Sequence, residues 1–407
     1  MTRAAGKIRM AYVVSHPIQY QAPLLRFLYQ QAWLDLQVLF LHRSTAGEYY
    51  DSGFHRRISW DVPLLDGYAH EALAEARLGR GFWHSELAAR LIPENFEIVW
   101  IHGYSHPTLL RAVHLAHRRG IKVLLRGESS SLIRSSNPIR RLARKHLLQW
   151  GLPRCSAFLC IGRVNRDFYL RNGISEERLF DMPYAVDNAF FQQRAAEAGR
   201  HREAFRSSLS LDPGRPVILY AGKLQEHKGP MDLLQAYMHF SAKRKREVQP
   251  YLLFAGDGPE RSKLERAAAN CERIRFLGFQ NQTELPALFD LCDLFVLPSR
   301  KEPWGLVVNE VMNAAKPVVV SDVTGCAPDL VSDDNGWLFR AGDVISLSDA
   351  LSRAFQNPQQ LACMGQRSLL RVNRYSFQED AAGLKRAAFW CLPQPVSEEF
   401  SCERAST

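Results

Sequence analysis

At 407 residues the chain is longer than one hydrophobic core ordinarily serves, which points to two domains. Its 46% hydrophobic and 23% charged residues are those of a globular protein, no apolar run approaches the roughly 18–20 residues that cross a bilayer, and eight cysteines without a Cys-x-x-Cys pair argue against a zinc site or a disulfide framework. The net charge of +10 falls entirely in residues 1–200, where 27 Lys+Arg stand against 17 Asp+Glu, so the first half is expected to meet something anionic.

In chain order, the basic start 1–9 runs into an apolar stretch broken by Ser15, His16 and Pro17, a poor signal peptide, so a cytoplasmic chain is expected, with attachment to a membrane face as the alternative. Strands are predicted at 7–15, 35–41, 97–102, 122–126 and 157–162, with helices over 21–31 and 107–119 between them. The polar, strand-free stretch 192–206 reads as a linker. Strands then follow at 217–221, 251–255, 274–277, 294–297, 317–321 and 336–339, joined by helices over 230–243, 259–269, 284–291 and 306–315. Continuous apolar strands alternating with helices predict parallel sheets covered on both faces, and two such series predict two doubly wound α/β domains. The expected partition is 1–195 and 205–372, a helix within 373–392 packing back on the first domain, and a flexible tail 393–407.

Ligands of open parallel sheets sit beyond the carboxyl ends of the strands. There the second half places Gly222, Lys223, Lys228 and Gly229, a pattern suited to a diphosphate because glycine admits close backbone approach and lysine brings charge. A solvated turn would contain the same residue types. The segment 254–260, with Gly256, Asp257 and Gly258, reads as a tight turn with Asp257 as a helix cap. In Ser-Arg-Lys-Glu-Pro-Trp-Gly-Leu-Val-Val-Asn-Glu, residues 299–310, Glu302 sits in a loop, Gly305 opens a helix, and Glu310 lies just over one turn along it. Ionised carboxylates accept from hydroxyl-rich ligands, and backbone N–H groups at a helix start favour anions. Ser321–Asp329 and Asn335-Gly336 are explained as turns.

In this order and spacing, residues 217–355 resemble the donor-binding domain of family-four glycosyltransferases, which have the GT-B fold of two Rossmann-like domains facing across a cleft. The specific part is Glu-x7-Glu, Glu302 to Glu310, with Trp304 in the family's aromatic slot ahead of Gly305 and Leu306. The resemblance implies a nucleoside-diphosphate sugar as substrate, retention of anomeric configuration, and no cofactor. It implies that Glu302 binds sugar hydroxyls, Glu310 the ribose, and Lys223 and Lys228 the diphosphate, with Lys223 standing where relatives have arginine. With no Asp-x-Asp metal motif, lysines are expected to replace a divalent ion at the departing phosphate.

The first half matches that pattern loosely. Its strand-end candidates for activating an acceptor are His16, His102 and Glu128, with Arg126 where many relatives have a histidine; a hydrogen-bonded structural role is the competing explanation for each. Residues 129–166 contain no acid and eight bases, and 139–150 has helical spacing with Leu142, Leu147, Leu148 and Trp150 as apolar partners. That segment suits either an anionic membrane surface, giving access to a glycan or lipid-linked acceptor in cell-surface polysaccharide or glycolipid synthesis, or a solvated helix face. The competing functions are a GT-B sugar-nucleotide epimerase and a non-enzymatic anion or nucleic-acid binder. Nucleic acid is disfavoured because the aromatic interleaving of a base-stacking surface is missing, and NAD because no Gly-x-Gly-x-x-Gly follows the first strand.

Overall fold

The computed structural model describes residues 6–73, 76–78, 81–84, 86–104, 106–130, 137–245 and 248–392, so Arg134 and the expected tail 393–407 lie outside the described residues. Two parallel sheets dominate. In the first, the order from one edge is Leu179–Asp181, Ala157–Cys160, Lys122–Arg126, Ile98–His102, Ile8–Val14, Leu34–Phe40, His70–Ala72. In the second it is Ile274–Gly278, Tyr251–Ala255, Val217–Ala221, Leu294–Leu297, Val318–Ser321, Gly336–Phe339. Every neighbouring pair in both sheets is parallel.

Strands such as Val217–Ala221 and Tyr251–Ala255 lack polar alternation because both faces are covered. Met10, Tyr12 and Val14 enter one core with Leu25 and Leu384, whereas Ala11 and Val13 enter another with Leu109 and Val113. In the second sheet Val217, Leu219 and Ala221 face one core while Ile218 and Tyr220 face the other.

The stretch expected to be a linker is instead structured. Helices Asn188–Gly199 and Arg202–Ser208 cover it, and both pack on the helix Leu285–Leu291 of the second domain. Asp187 starts the first by accepting a hydrogen bond from the Phe190 N–H, and buried Phe191 meets Phe289 at 6.2 Å between ring centroids. The polar composition hid a helix held by one aromatic anchor, and residues from about 188 onward pack with the second domain. Asp257 does not cap the following helix, which starts later, at Arg261; its carboxylate accepts from the Gly258 N–H and from Arg261 instead.

After the helix Pro358–Val372 of the second domain, the chain crosses over, and the helix Phe377–Cys391 lies on the first sheet against Leu179–Asp181 and Ala157–Cys160. Ser376 and Glu379 have the capping-box spacing, and the serine side chain accepts from the Glu379 N–H. Gly383 is required by close approach: a Cβ there would lie 1.9 Å from the Asp181 carbonyl oxygen. A buried ion pair pins the helix, with Arg126 donating to Asp380 at 3.0 Å and to the carbonyls of Met182 and Pro183.

One further feature spans the domains. A short antiparallel hairpin, Tyr49–Asp51 with Arg56–Ile58, projects from the first domain. Asn281 donates to the carbonyl of Ser59, Thr283 bonds Asp61, and Phe279 receives the rings of Phe54 and Trp60. No helix among the described residues is long and apolar enough to cross a membrane.

Candidate functional site

In each sheet the strand order reverses between the first strand and the fourth, which opens a crevice at the carboxyl ends. The two crevices form one cavity of about 310 Å3. From the second domain it is lined by Gly222, Gly256, Gln280, Gln282, Leu285, Glu302, Trp304, Gly305, Leu306 and Glu310; from the first by Gln19, Tyr20, Phe54, Trp60, Glu128 and Tyr184. Glu302 and Glu310 therefore open into the same space.

Local geometry accounts for their placement. Gly305 has φ of +97°, a left-handed conformation that lets the chain turn from the Glu302 loop into the helix Leu306–Met312. The loop is locked behind: the Trp304 indole donates to Asn309 at 2.9 Å, and Asn309 donates to the carbonyl of Tyr184 in the first domain. Trp304 packs so closely on Gly162 that a Cβ there would sit 2.3 Å from its ring. Gly222 and Gly256, with φ of +151° and +145°, bring bare backbone to the cavity wall.

Glu302 is buried, accepting from Lys228 at 2.6 Å and from the Ser299 hydroxyl at 3.1 Å. Glu310 is half-buried, and among the described residues its carboxylate has no hydrogen-bond or ion-pair partner. Burial pushes that carboxyl up to about 7. A carboxylate desolvated and unpaired in a cavity wall is costly unless a ligand supplies donors.

On the first-domain side, Glu128 lines the cavity and accepts from the Tyr184 hydroxyl at 2.8 Å. Burial raises its pKa, opposed by that hydrogen bond. His102 stands behind this layer: its Nε2 lies 3.3 Å from the Tyr184 hydroxyl and 3.1 Å from the Gln21 amide nitrogen. Burial, with Arg126 nearby, lowers its pKa to about 3, so it is neutral at physiological pH. His16 stacks on His42 at 5.3 Å, bonds Ser15, and is held at about 4 by burial and by His42. Neither histidine lines the cavity.

Arg126 departs most from expectation. Its side chain is buried, turned away from the cavity into the contact with Asp380, with its guanidinium 4.8 Å from the centre of the Tyr184 ring. It holds Tyr184 and the final helix and does not face the cavity. Lys223 also departs: it donates to both oxygens of Asp51 at 2.9 Å, across the cleft, and is not among the lining residues. Lys228 reaches the cavity only through Glu302.

Sequence reasoning did not single out Tyr184, Phe54, Trp60 or Asp51. Tyr184 follows the short edge strand Leu179–Asp181, and the other three belong to the hairpin segment, where no strand periodicity marks a functional element.

Residues 201–370 match the family described as "Glycosyl transferases group 1". An alpha-D-kanosaminyltransferase of Streptomyces kanamyceticus is 28% identical over 230 residues, covering 56% of this chain and 57% of that protein. The chain spans about half the length of the curated relatives it matches. A glycosyltransferase structure from Rickettsia africae superposes with a TM-score of 0.71 at 12% identity, over 95% of this chain and 98% of that one. The structure of Anabaena HepE in complex with UDP and glucose superposes with a TM-score of 0.68 at 14% identity, over 93% of this chain and 98% of that one. The fold is thus the GT-B arrangement of two Rossmann-like domains.

Proposed function

We propose that this chain, a group 1 glycosyl transferase through residues 201–370, moves a sugar from a nucleoside-diphosphate donor to a hydroxyl of a glycan or lipid-linked acceptor, with retention at the anomeric carbon. The observation that carries the reading is the convergence of Glu302 and Glu310 on one cavity between the domains, with the backbone at Gly222, Gly256 and Gly305 beside them. Glu310 accepts from the ribose hydroxyls, which supply the donors its carboxylate lacks. Glu302, kept in place by Lys228 and Ser299, accepts from hydroxyls of the transferred sugar. Lys228 shifts toward the phosphates once the donor's hydroxyls take over Glu302.

The reaction breaks the bond from the anomeric carbon to the phosphate oxygen and forms one to the acceptor oxygen on the same face. Charge grows on the departing diphosphate and on the sugar ring. The Lys228 ammonium and fixed backbone N–H groups stabilise the first, and the Glu302 carboxylate the second. No cofactor enters this reading, and positive side chains take the part of a metal at the phosphate. On the acceptor side, Glu128 is better placed than His102 or His16 to receive an acceptor hydroxyl, because it reaches the cavity and they do not.

The basic helix Pro138–Gly151 supports an acceptor held at an anionic membrane surface. Ile139, Leu142 and Trp150 are exposed on it alongside the exposed Arg141 and Lys145, while the half-buried Arg144 lies over the Phe168 ring. Apolar side chains beside bases are what an interfacial helix presents to acidic headgroups. The chain then acts in the cytoplasm, resting on the inner membrane face.

Thermal-shift screening against UDP-, GDP- and ADP-sugars tests the reading. UDP-sugars come first, since HepE binds UDP and glucose in its crystal structure. A rise in melting temperature with one nucleotide class, followed by acceptor-dependent release of the nucleoside diphosphate, is the expected result. Stabilisation by none of the three would end the reading; donor turnover without any acceptor would favour an epimerase.

A further inference from the structure

The cavity runs along the carboxyl edge of the second sheet, and its chemistry changes from end to end. Glu302 follows the strand Leu294–Leu297, Gly222 the next strand, Gly256 the one after, and Gln280 the edge strand Ile274–Gly278. Those three inter-strand steps span on the order of 14 Å, the scale of a sugar, a diphosphate and a nucleoside laid end to end. At the Glu302 end the lining holds the Glu302 and Glu128 carboxylates, the Tyr184 hydroxyl and the Trp304 ring. At the far end it is amide and aromatic, and the aromatic part comes from the other domain.

We infer that the first domain supplies the nucleobase wall of the donor site through Phe54 and Trp60, an assignment that rests on the donor reading above. Both rings line the cavity, and both pack on Phe279 at the end of the edge strand, with centroids at 4.8 and 6.1 Å. Gln280 and Gln282 stand beside them with amide groups that can donate and accept, as the edge of a base requires. A flat π-face next to paired hydrogen-bonding groups suits a heteroaromatic ring.

Asp51 sets the position of this wall. It accepts from the backbone N–H groups of Gly53 at 2.7 Å and Phe54 at 3.0 Å, which fixes the turn carrying Phe54. The same carboxylate binds Lys223, whose ammonium lies 4.9 Å from the centre of the Phe54 ring. One side chain therefore links the stacking surface of the first domain to a lysine of the second. The donor's affinity then depends on the hairpin of the first domain as well as on the second domain.

Titration calorimetry of the full chain with UDP, GDP, ADP and inorganic pyrophosphate separates the outcomes. For the nucleoside diphosphate that the unmodified chain binds, Phe54→Ala is expected to weaken affinity by about tenfold or more, and Phe54→Tyr to hold it within about threefold. Pyrophosphate, which has no base, is expected to bind the unmodified chain and Phe54→Ala alike. If the unmodified chain binds a nucleoside diphosphate and the double variant Phe54→Ala, Trp60→Ala binds it as tightly, the aromatic wall is refuted and the donor reading stands. Equal weakening of pyrophosphate would assign the loss to Lys223 and overturn the stacking assignment. If none of the three nucleotides binds the unmodified chain, the donor reading itself fails.

Discussion

In the second domain Gly222 follows the first strand and Glu302 lies beyond the fourth; in the first domain the same topological places hold Ser15 and His102. The topology is shared, but the consequence differs. The second domain keeps glycine and acid at the cavity wall, where backbone and carboxylate can meet a ligand. The first domain turns its strand-end residues inward, His102 behind Tyr184 and Arg126 into Asp380, and reaches the cavity through Glu128, Tyr184 and a hairpin. A strand end marks a possible ligand site; whether a given side chain faces it depends on what packs beneath.

The contrast between an inward arginine and an outward glutamate can be broken experimentally. The largest effect is expected at Asp380. Replacing it with alanine leaves the buried Arg126 guanidinium without its carboxylate, and should cost about 3–5 kcal/mol of unfolding free energy in urea titration. A surface-like loss of under about 1 kcal/mol would show that the pair is not the clamp described here. Next, Glu302→Ala should lower turnover on the order of 10²–10³-fold while the chain stays folded, measured by nucleotide release in the presence of acceptor. Unchanged turnover would remove Glu302 from the reacting site.

A smaller effect is expected on the outer face of the first domain. Reversing the exposed Arg141 and Lys145 to glutamate should cut binding to vesicles containing acidic phospholipid by roughly 10-fold or more, at about 1 kcal/mol for each charge near the surface. Co-sedimentation equal to that of the unmodified chain would return the helix to a solvated role. The smallest concerns pH. The folded Glu310 carboxyl, raised to about 7, holds its proton where the unfolded chain has already released it. Stability from this group is therefore present below the ordinary carboxylate range and is lost as pH rises toward about 7. Glu310→Gln should remove that loss, so its melting temperature should gain on the unmodified chain more at pH 8 than at pH 5. A pH-independent difference would mean the carboxyl is not desolvated.

The same contrast explains what could be read in the sequence. Strands such as Val217–Ala221 and Tyr251–Ala255 were legible to the residue, because a run of five apolar side chains between a proline or polar residue and a glycine has no other use in a doubly wound domain. The placement of Glu302, Gly305 and Glu310 at one strand end was legible because strand, loop acid, glycine and helix follow one another within a short stretch. Arg126 and Asp380 are 254 positions apart, and nothing local says that they meet. The hairpin 49–58 has only three residues in each strand, and its value lies in contacts with Phe279 and Lys223 in the other domain. The 192–206 stretch looks like a linker in sequence because polar residues on the outer face of Asn188–Gly199 outnumber the few, Phe191 and Ala195, that bury.

Calorimetric titration of Glu310→Ala and Glu302→Ala with a nucleoside diphosphate and with its sugar-bearing form tests the shared pocket most directly. The account predicts that Glu310→Ala weakens both ligands alike by roughly tenfold or more, through loss of a charged acceptor, and that Glu302→Ala leaves the bare diphosphate nearly untouched while removing the extra affinity contributed by the sugar. Identical affinities for both ligands across both variants and the unmodified chain would contradict it.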